Sequence, residues 1–359
     1  MLAQDFLQRI FRPAVLGLSA YKVADASNLI KLDAMENPYH WPDSVIDAWL
    51  ATLRNCELNR YPDPEARQLT AVIRSTNSIP ETSGVLLGNG SDEIIQLLLM
   101  ALPQNSVVLA PEPGFVMYKQ VAVSLELNFL GVPLLPHSFE LDLPKMLEVI
   151  RLHQPSLIFL AYPNNPTGNL FDADAIKAII QAAPGMVIID EAYAPFADSS
   201  YMSVVSDYPN VLVMRTVSKL GLAGLRLGYI VGHATLINEL NKLRLPYNIN
   251  ILTQASAHFA LTHPDIFAQQ ILNIREQRSL LLAALNALEG ITAYPSAANF
   301  ILFRTPANQA TRVFENIKQH GVLIKNLAHA GGLLQDCLRV TIGTAAENTQ
   351  FLHALKHSL

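Results

Sequence analysis

The sequence predicts an α/β protein: a large domain with a mostly parallel central sheet flanked by helices, and a smaller α+β domain formed from the C-terminal part and the N-terminal segment. Three observations predict it. Four short apolar runs, Val107–Ala110, Leu157–Leu160, Met186–Ile189 and Val211–Met214, alternate with helical stretches such as Asp172–Ala182. These runs are continuously apolar, which suits strands covered on both faces, and strands alternating with helices make βαβ units. Near the C-terminus the style changes. Leu338-Arg339-Val340-Thr341-Ile342 alternates apolar and polar, as a strand with one solvated face does.

The rest of the chain follows from the same reasoning. Residues 1–55 have their own pattern and are expected to form an arm or to join the small domain. Residues 56–250 carry the βαβ pattern and make the large domain, leaving 251–359 for the small one. Thr253–Glu289 is rich in Ala, Leu, Gln and Arg and reads as long helix, interrupted where Pro264 cannot continue it. Phe300–Phe303 and Val322–Ile324 are short strands of the small domain.

Bulk properties narrow the function. The chain has 359 residues, half of them hydrophobic (50%) and few charged (15%), so it has ample material for a large core. Its net charge is -5 and no run of lysine and arginine stands out, so neither nucleic acid nor an anionic membrane is an expected partner. Cys56 and Cys337 form no CxxC pair, which indicates a reducing compartment rather than a disulfide framework. Asp5, Arg9 and Arg12 interrupt the N-terminus, which lacks the apolar core of a secretory signal. The longest apolar stretch, near Ile94-Ile95, falls far short of the ~20 residues that span a bilayer. A cytoplasmic location is expected.

In open α/β sheets, ligands bind beyond the carboxyl ends of the strands. The polar residues that follow each apolar run are therefore the informative ones. Val211–Met214 leads to Ser218-Lys219, then a glycine-punctuated stretch and Arg226. A lysine at the end of a buried strand is disfavoured in its charged form, so its amine is nucleophilic near neutral pH and can form a Schiff base with an aldehyde. The neighbouring serine and arginine suit a phosphate on the aldehyde's carrier. The same residues also suit a turn with a surface lysine.

After Met186–Ile189 comes Asp190-Glu191-Ala192-Tyr193. A buried aspartate needs a partner, and a protonated pyridine nitrogen would serve; so would a role as a helix N-cap. After Leu157–Leu160 comes a loop containing Asn164-Asn165-Pro166-Thr167-Gly168. It fits ordinary turn chemistry, and it also fits a rigid loop that offers an asparagine amide to a ring hydroxyl. Gly88-Asn89-Gly90-Ser91-Asp92-Glu93 opens a helical run. It misses the dinucleotide fingerprint because Glu93 stands where a third glycine is required, but it makes a phosphate cup or a capped helix start. Pro111-Glu112-Pro113-Gly114-Phe115 places an aromatic ring at the end of Val107–Ala110, beside the same pocket or in the core.

Taken in order, these motifs resemble the pyridoxal-phosphate aminotransferases of the aspartate aminotransferase-like fold. Within that family the chain is similar to the histidinol-phosphate aminotransferases, through Leu32-Asp33-Ala34-Met35-Glu36-Asn37-Pro38, Arg60-Tyr61-Pro62-Asp63, the stretch from Gly221 through Arg226 to Tyr229, and Leu338 to Thr344. The resemblance covers about Tyr21 to Thr344 and implies pyridoxal 5'-phosphate as cofactor. It implies that Lys219 carries the cofactor in Schiff-base linkage, that Asp190 pairs with the pyridine nitrogen, and that Tyr193 and Asn165 bind the ring hydroxyl. Phe115 would stack on the ring, where relatives often have tyrosine. Ser91, Asp92, Ser218 and Arg226 would surround the cofactor phosphate, and Tyr61 would reach it from the partner subunit of a homodimer. Arg339 would grip the acidic group of the amino donor, and Tyr21, Asn37 and Lys325 would help hold the substrate phosphate. Many relatives have arginine where this chain has Lys325, and the two are not equivalent.

The implied reaction exchanges an amino group between histidinol phosphate and 2-oxoglutarate, yielding imidazole acetol phosphate and glutamate, in histidine biosynthesis. An aromatic amino-acid aminotransferase or a phosphothreonine decarboxylase would share the cofactor residues, and a cofactor-holding regulatory module would share them without turnover. No metal is expected: the histidines are scattered, no H-E-x-x-H occurs, and His353 and His357 suit a solvated helix face. Gly17-Leu18-Ser19-Ala20-Tyr21 misses the G-x-S-x-G elbow of serine hydrolases.

Overall fold

The computed structural model describes residues 4–20 and 23–359; Tyr21 lies outside the described residues. Thirteen strands follow one another among these residues. They are β1 (Ile30–Lys31), β2 (Ser83–Gly88), β3 (Val107–Glu112), β4 (Asn128–Pro133), β5 (Leu157–Ala161), β6 (Met186–Asp190), β7 (Val211–Thr216), β8 (Gly228–His233), β9 (Thr292–Ala293), β10 (Phe300–Arg304), β11 (Val322–Leu323), β12 (Lys325–Asn326) and β13 (Cys337–Thr341).

The central sheet has seven strands in the order β2-β8-β7-β6-β5-β3-β4. All neighbours run parallel except β8, which is antiparallel to both β2 and β7. The expected mostly parallel sheet is present, and the four apolar runs are four of its strands. Their side chains alternate between two cores. Ile158, Leu160, Val187, Ile189, Val211 and Val213 enter one; Leu157, Phe159, Ile188, Leu212 and Met214 enter the other. Each face is covered by helices, which is why the runs show no polar alternation.

The smaller core gathers the C-terminal strands and part of the N-terminal segment. β12-β13-β10-β9 form an antiparallel sheet, and β1 lies parallel to β11. Leu32 packs here with Phe300, Phe303, Val340 and Phe351. β13 is buried along its whole length, so its alternation of residue types does not mark a solvated face. The expected long helix is two helices, Ile251–Leu261 and Asp265–Asn286, broken at His263-Pro264. The second of them serves both cores: Phe267 belongs to the first, and Ile274, Leu281 and Leu285 to the second.

Helix starts follow the local chemistry. The Asp172 carboxylate accepts from the Ala175 N–H at 2.8 Å, and Thr344 and Glu347 form a reciprocal capping box. Each such cap stabilises its helix by about 1 kcal/mol. Among the described residues no helix is long and apolar enough to cross a membrane, and no group of three or more His, Cys, Asp or Glu is placed to hold a metal ion.

Candidate active site

The carboxyl ends of β2, β5, β6 and β7 open onto one cavity of about 230 Å³. Ser91, Asp92, Phe115, Asn165, Asp190, Tyr193, Ser218, Lys219 and Arg226 all line it. Ala34, Met35 and Glu36 close it from the N-terminal segment. Residues far apart in sequence meet because they lie at one edge of the central sheet, at or just beyond the carboxyl ends of its parallel strands or, for Arg226, just before the antiparallel β8.

Lys219 sits in a short turn, Ser218–Leu220, just beyond β7. Its Nζ donates to the Ala34 carbonyl at 3.1 Å and lies 5.9 Å from the centre of the Tyr193 ring. Burial, reinforced by the Arg339 guanidinium, lowers its pKa to about 8. A substantial fraction of neutral amine is therefore available near physiological pH.

Asp190, the last residue of β6, is buried. One carboxylate oxygen accepts from the Tyr118 hydroxyl at 2.5 Å and the other from the Ala192 N–H at 3.1 Å. Burial raises its pKa to about 6 against the opposing effect of these two donors. Tyr118 was not singled out by sequence. Its only local signal is its place three residues after Phe115 on the helix Val116–Ser124 and its neighbour, a spacing that reads equally as core.

A polar chain runs along one wall. Asn165 Nδ2 donates to the Tyr193 hydroxyl at 3.0 Å, while Asn165 Oδ1 accepts from Arg339 Nη1 at 2.5 Å. The second Arg339 nitrogen donates to the Asp33 carbonyl at 3.0 Å, and its guanidinium lies 5.2 Å from the Phe300 ring centre. Arg339 is thus held in place by backbone and amide acceptors.

The opposite end is built for an anion. The helix Ser91–Met100 starts at the cavity and directs its first N–H groups there. Gly90 has φ +86°, and a Cβ at this position would stand 2.8 Å from Arg226 Nη2. A Cβ on Gly228 would meet the Ser91 nitrogen at 2.6 Å. Side chains at either point would fill the cradle. Arg226 lies 3.4 Å from the Asp92 carboxylate. Glu93, which breaks the dinucleotide pattern, turns back to accept from the Asn89 N–H at 2.6 Å and from Asn248 Nδ2 at 2.9 Å. It shapes the loop in place of a glycine.

Four of the described candidates stand outside the cavity lining: Arg339, which reaches it through Asn165, and Tyr61, Asn37 and Lys325. Tyr61 is 80% exposed and stacks on Tyr247, ring centres 4.5 Å apart. Asn37 donates to the Leu220 carbonyl at 3.0 Å and to Gln270 Oε1 at 2.9 Å, so it braces the turn that carries Lys219. Lys325 faces Arg339 across the β12–β13 pairing. Tyr21 lies outside the described residues.

The model of the aminotransferase class I and II family matches residues 27–355. The chain belongs to the class I and II aminotransferases. It is 56% identical over 357 residues to a protein named histidinol-phosphate aminotransferase 2 from Nitrosococcus oceani, covering 99% of each chain. It is 49% identical over 361 residues to histidinol-phosphate aminotransferase 1 from Ralstonia nicotianae, covering 99% of this chain and 96% of that one. In three dimensions it is similar to histidinol-phosphate aminotransferase from Sinorhizobium meliloti, a structure in complex with pyridoxal-5'-phosphate, with TM-score 0.87, 22% identity and 97% of each chain covered. That likeness establishes the aminotransferase fold.

The cofactor of this family, pyridoxal phosphate, fits the residues present. The cavity offers an anion cradle at one end, a buried carboxylate for a cationic ring nitrogen, an amine for an aldehyde, and a phenol–amide pair for a ring hydroxyl. Each polar feature of the cofactor has a matching group among the lining residues.

Proposed function

We propose that this aminotransferase transfers the amino group between histidinol phosphate and 2-oxoglutarate, giving imidazole acetol phosphate and glutamate, in histidine biosynthesis. The observation that carries this reading is the 56% identity to a histidinol-phosphate aminotransferase over 99% of both chains. The Lys219–Asp190 cavity supports it chemically.

When bound, pyridoxal phosphate supplies an aldehyde to receive the amino group and a ring to take up the electron pair released at the substrate's α-carbon. The protein's residues do the rest. The Lys219 amine removes the α-proton and later returns a proton, as base and then acid. In the cofactor-free cavity burial already lowers the pKa of this amine to about 8, so the site does not hold it permanently protonated near neutral pH. Asp190 keeps a proton on the ring nitrogen, and Tyr193 with Asn165 orients the ring hydroxyl. Phe115 covers the ring. Ser91, Ser218 and Arg226 hold the cofactor phosphate; Asp92 contributes its backbone N–H, because its carboxylate faces Arg226.

Arg339 accepts either the carboxylate of glutamate or the phosphate of the second substrate, since its planar fork pairs with both anions. Lys325, Asn37 and Tyr21 complete the substrate-phosphate site. Tyr61 acts from the partner subunit of a homodimer, a role compatible with its 80% exposure within one chain. Large domain 56–250 carries the cofactor, and 251–359 with the N-terminal segment forms the small domain that covers it.

Incubating the purified protein with histidinol phosphate and 2-oxoglutarate tests the reading. Glutamate should form. Parallel assays with phenylalanine and O-phosphothreonine should give far less product. Release of carbon dioxide from O-phosphothreonine, or amino transfer from phenylalanine alone, would overturn the substrate assignment.

A further inference from the structure

Tyr118 is a buried phenol outside the cavity, yet it touches the cavity's acid. Its ring stacks on Phe159 of β5 with centres 4.1 Å apart and planes 1° apart, and it meets Phe115 edge-on at 5.4 Å. This packing aims the hydroxyl at Asp190 Oδ2, 2.5 Å away. With the Ala192 N–H on Oδ1, both carboxylate oxygens have a donor on the protein side. The remaining charged and titratable surroundings of Asp190 are mixed. Asp92, at the start of the helix Ser91–Met100, and Glu191, the residue that follows Asp190, both oppose its ionisation; Tyr193 acts on the Tyr118 phenol in the same sense as Asp190 does. Lys219 and Arg226 line the same cavity as cations. Burial and the Asp190 charge keep the Tyr118 phenol protonated, so it remains a donor.

We propose that Tyr118 is a positioning residue of the reaction: its hydrogen bond fixes the Asp190 carboxylate in place and holds it ionised, and thereby holds the proton on the cofactor's ring nitrogen. The inference rests on the pyridoxal-phosphate reading above. The proton between a ring nitrogen and a carboxylate goes to the stronger base. A hydrogen bond donated to the carboxylate weakens it as a base and leaves the proton on the ring. Without that bond the pair drifts toward a neutral ring and a neutral acid, and the ring becomes a poorer electron sink.

Tyr118→Phe isolates the hydroxyl, because the ring still fills its place against Phe159. Protein stripped of cofactor should take up pyridoxal phosphate about tenfold more weakly at pH 6 in Y118F than in wild type, as for loss of a hydrogen bond to a charged group. The gap should narrow as pH rises and Asp190 ionises unaided. In the loaded enzyme kcat should fall while KM for glutamate stays the same. With N-methylated pyridoxal phosphate, whose ring nitrogen is permanently cationic, wild type and Y118F should differ less. Equal affinity with the same pH course, or an equal loss of kcat on the methylated cofactor, overturns the proposal while leaving the function intact. Failure of the wild type to take up pyridoxal phosphate overturns both. Should Y118F not fold, 3-fluorotyrosine at position 118, a stronger donor, must shift the affinity in the opposite direction; no shift overturns the proposal.

Discussion

Arg215 donates from Nε and Nη2 to one oxygen of Glu191, at 2.9 and 2.7 Å. The pair ties the end of β7 to the end of β6. Glu191 directly follows Asp190, and Arg215 lies four residues before Lys219, so the ion pair fixes the separation of the strand ends that carry the two central groups of the site. Successive side chains of a strand point to opposite faces. Asp190 therefore meets the cavity while Glu191 is buried behind it, where Ser200 and the Tyr201 N–H complete its shell. Asn77 accepts the remaining Arg215 donor at 2.6 Å.

Removing one partner of such a pair leaves a buried charge alone. Glu191→Ala should lower the unfolding free energy by about 3–5 kcal/mol. Replacing both residues by apolar ones of similar volume, Glu191→Leu with Arg215→Met, should recover most of the loss. Denaturant unfolding of both variants checks this. A single variant within about 1 kcal/mol of wild type would show that the pair is dispensable for folding.

Lys219 has a pH signature in the cofactor-free protein. An unfolded lysine titrates near 10.5, and burial lowers Lys219 to about 8. Below pH 8 both states carry the proton and the folded state bears the cost of a buried charge. Between pH 8 and 10.5 only the unfolded state retains it, so stability rises with pH through this window. Lys219→Met removes the group. It should be more stable than wild type at pH 7, by up to about 3 kcal/mol, and the difference should vanish above pH 10.5. Thermal melts of the two cofactor-free proteins across pH 7–11 decide it, and a gap that does not change with pH would refute the assignment.

The central-sheet strands legible in the sequence were those buried on both faces and apolar throughout, while β13 was legible through its alternation. β8 escaped notice because Gly228 and Gly232 make it look like turn, although both glycines are required by close approach: a Cβ at Gly232 would stand 2.9 Å from Leu212 Cγ. The cavity's lining was legible because its polar residues directly follow apolar runs. Tyr118 and the Arg215–Glu191 pair were not. Tyr118 is 72 residues from Asp190 along the chain, and only the sheet brings them together. Nor does sequence reveal that the Ala34 carbonyl receives the Lys219 amine, because a backbone acceptor has no residue type to give it away.

Arg339 is assigned to both substrates, so its loss should affect both half-reactions. Arg339→Lys keeps the charge but not the fork that reaches Asn165 and the Asp33 carbonyl. kcat/KM should fall roughly ten- to a hundredfold for glutamate and for histidinol phosphate alike. Single-turnover kinetics of each half-reaction measure this, and an effect on one substrate alone would mean that the two anions have separate sites.

Lys325 should behave differently. It is assigned to the substrate phosphate alone, whereas Arg339 is assigned to glutamate as well. Lys325→Ala should raise KM for histidinol phosphate about tenfold and leave KM for glutamate unchanged. Lys325→Arg should restore phosphate binding. Matched losses for both substrates would instead mean that Lys325 acts through Arg339, its neighbour across the β12–β13 pairing.

Tyr61 tests the assembly. It stacks on Tyr247 and stands 80% exposed, so within one chain it does not line the cavity. If it serves the partner's cofactor phosphate, a hybrid of Lys219→Ala and Tyr61→Phe subunits has one site built from the intact Lys219 of one chain and the intact Tyr61 of the other. That site should work at the wild-type rate, giving about half the activity of a wild-type dimer, while neither parent homodimer matches it. Differentially tagged subunits, co-expressed and purified by both tags, provide the hybrid. Were Tyr61 to act within its own chain, every hybrid site would lack one of the two groups, and the hybrid would be no better than the Tyr61→Phe parent.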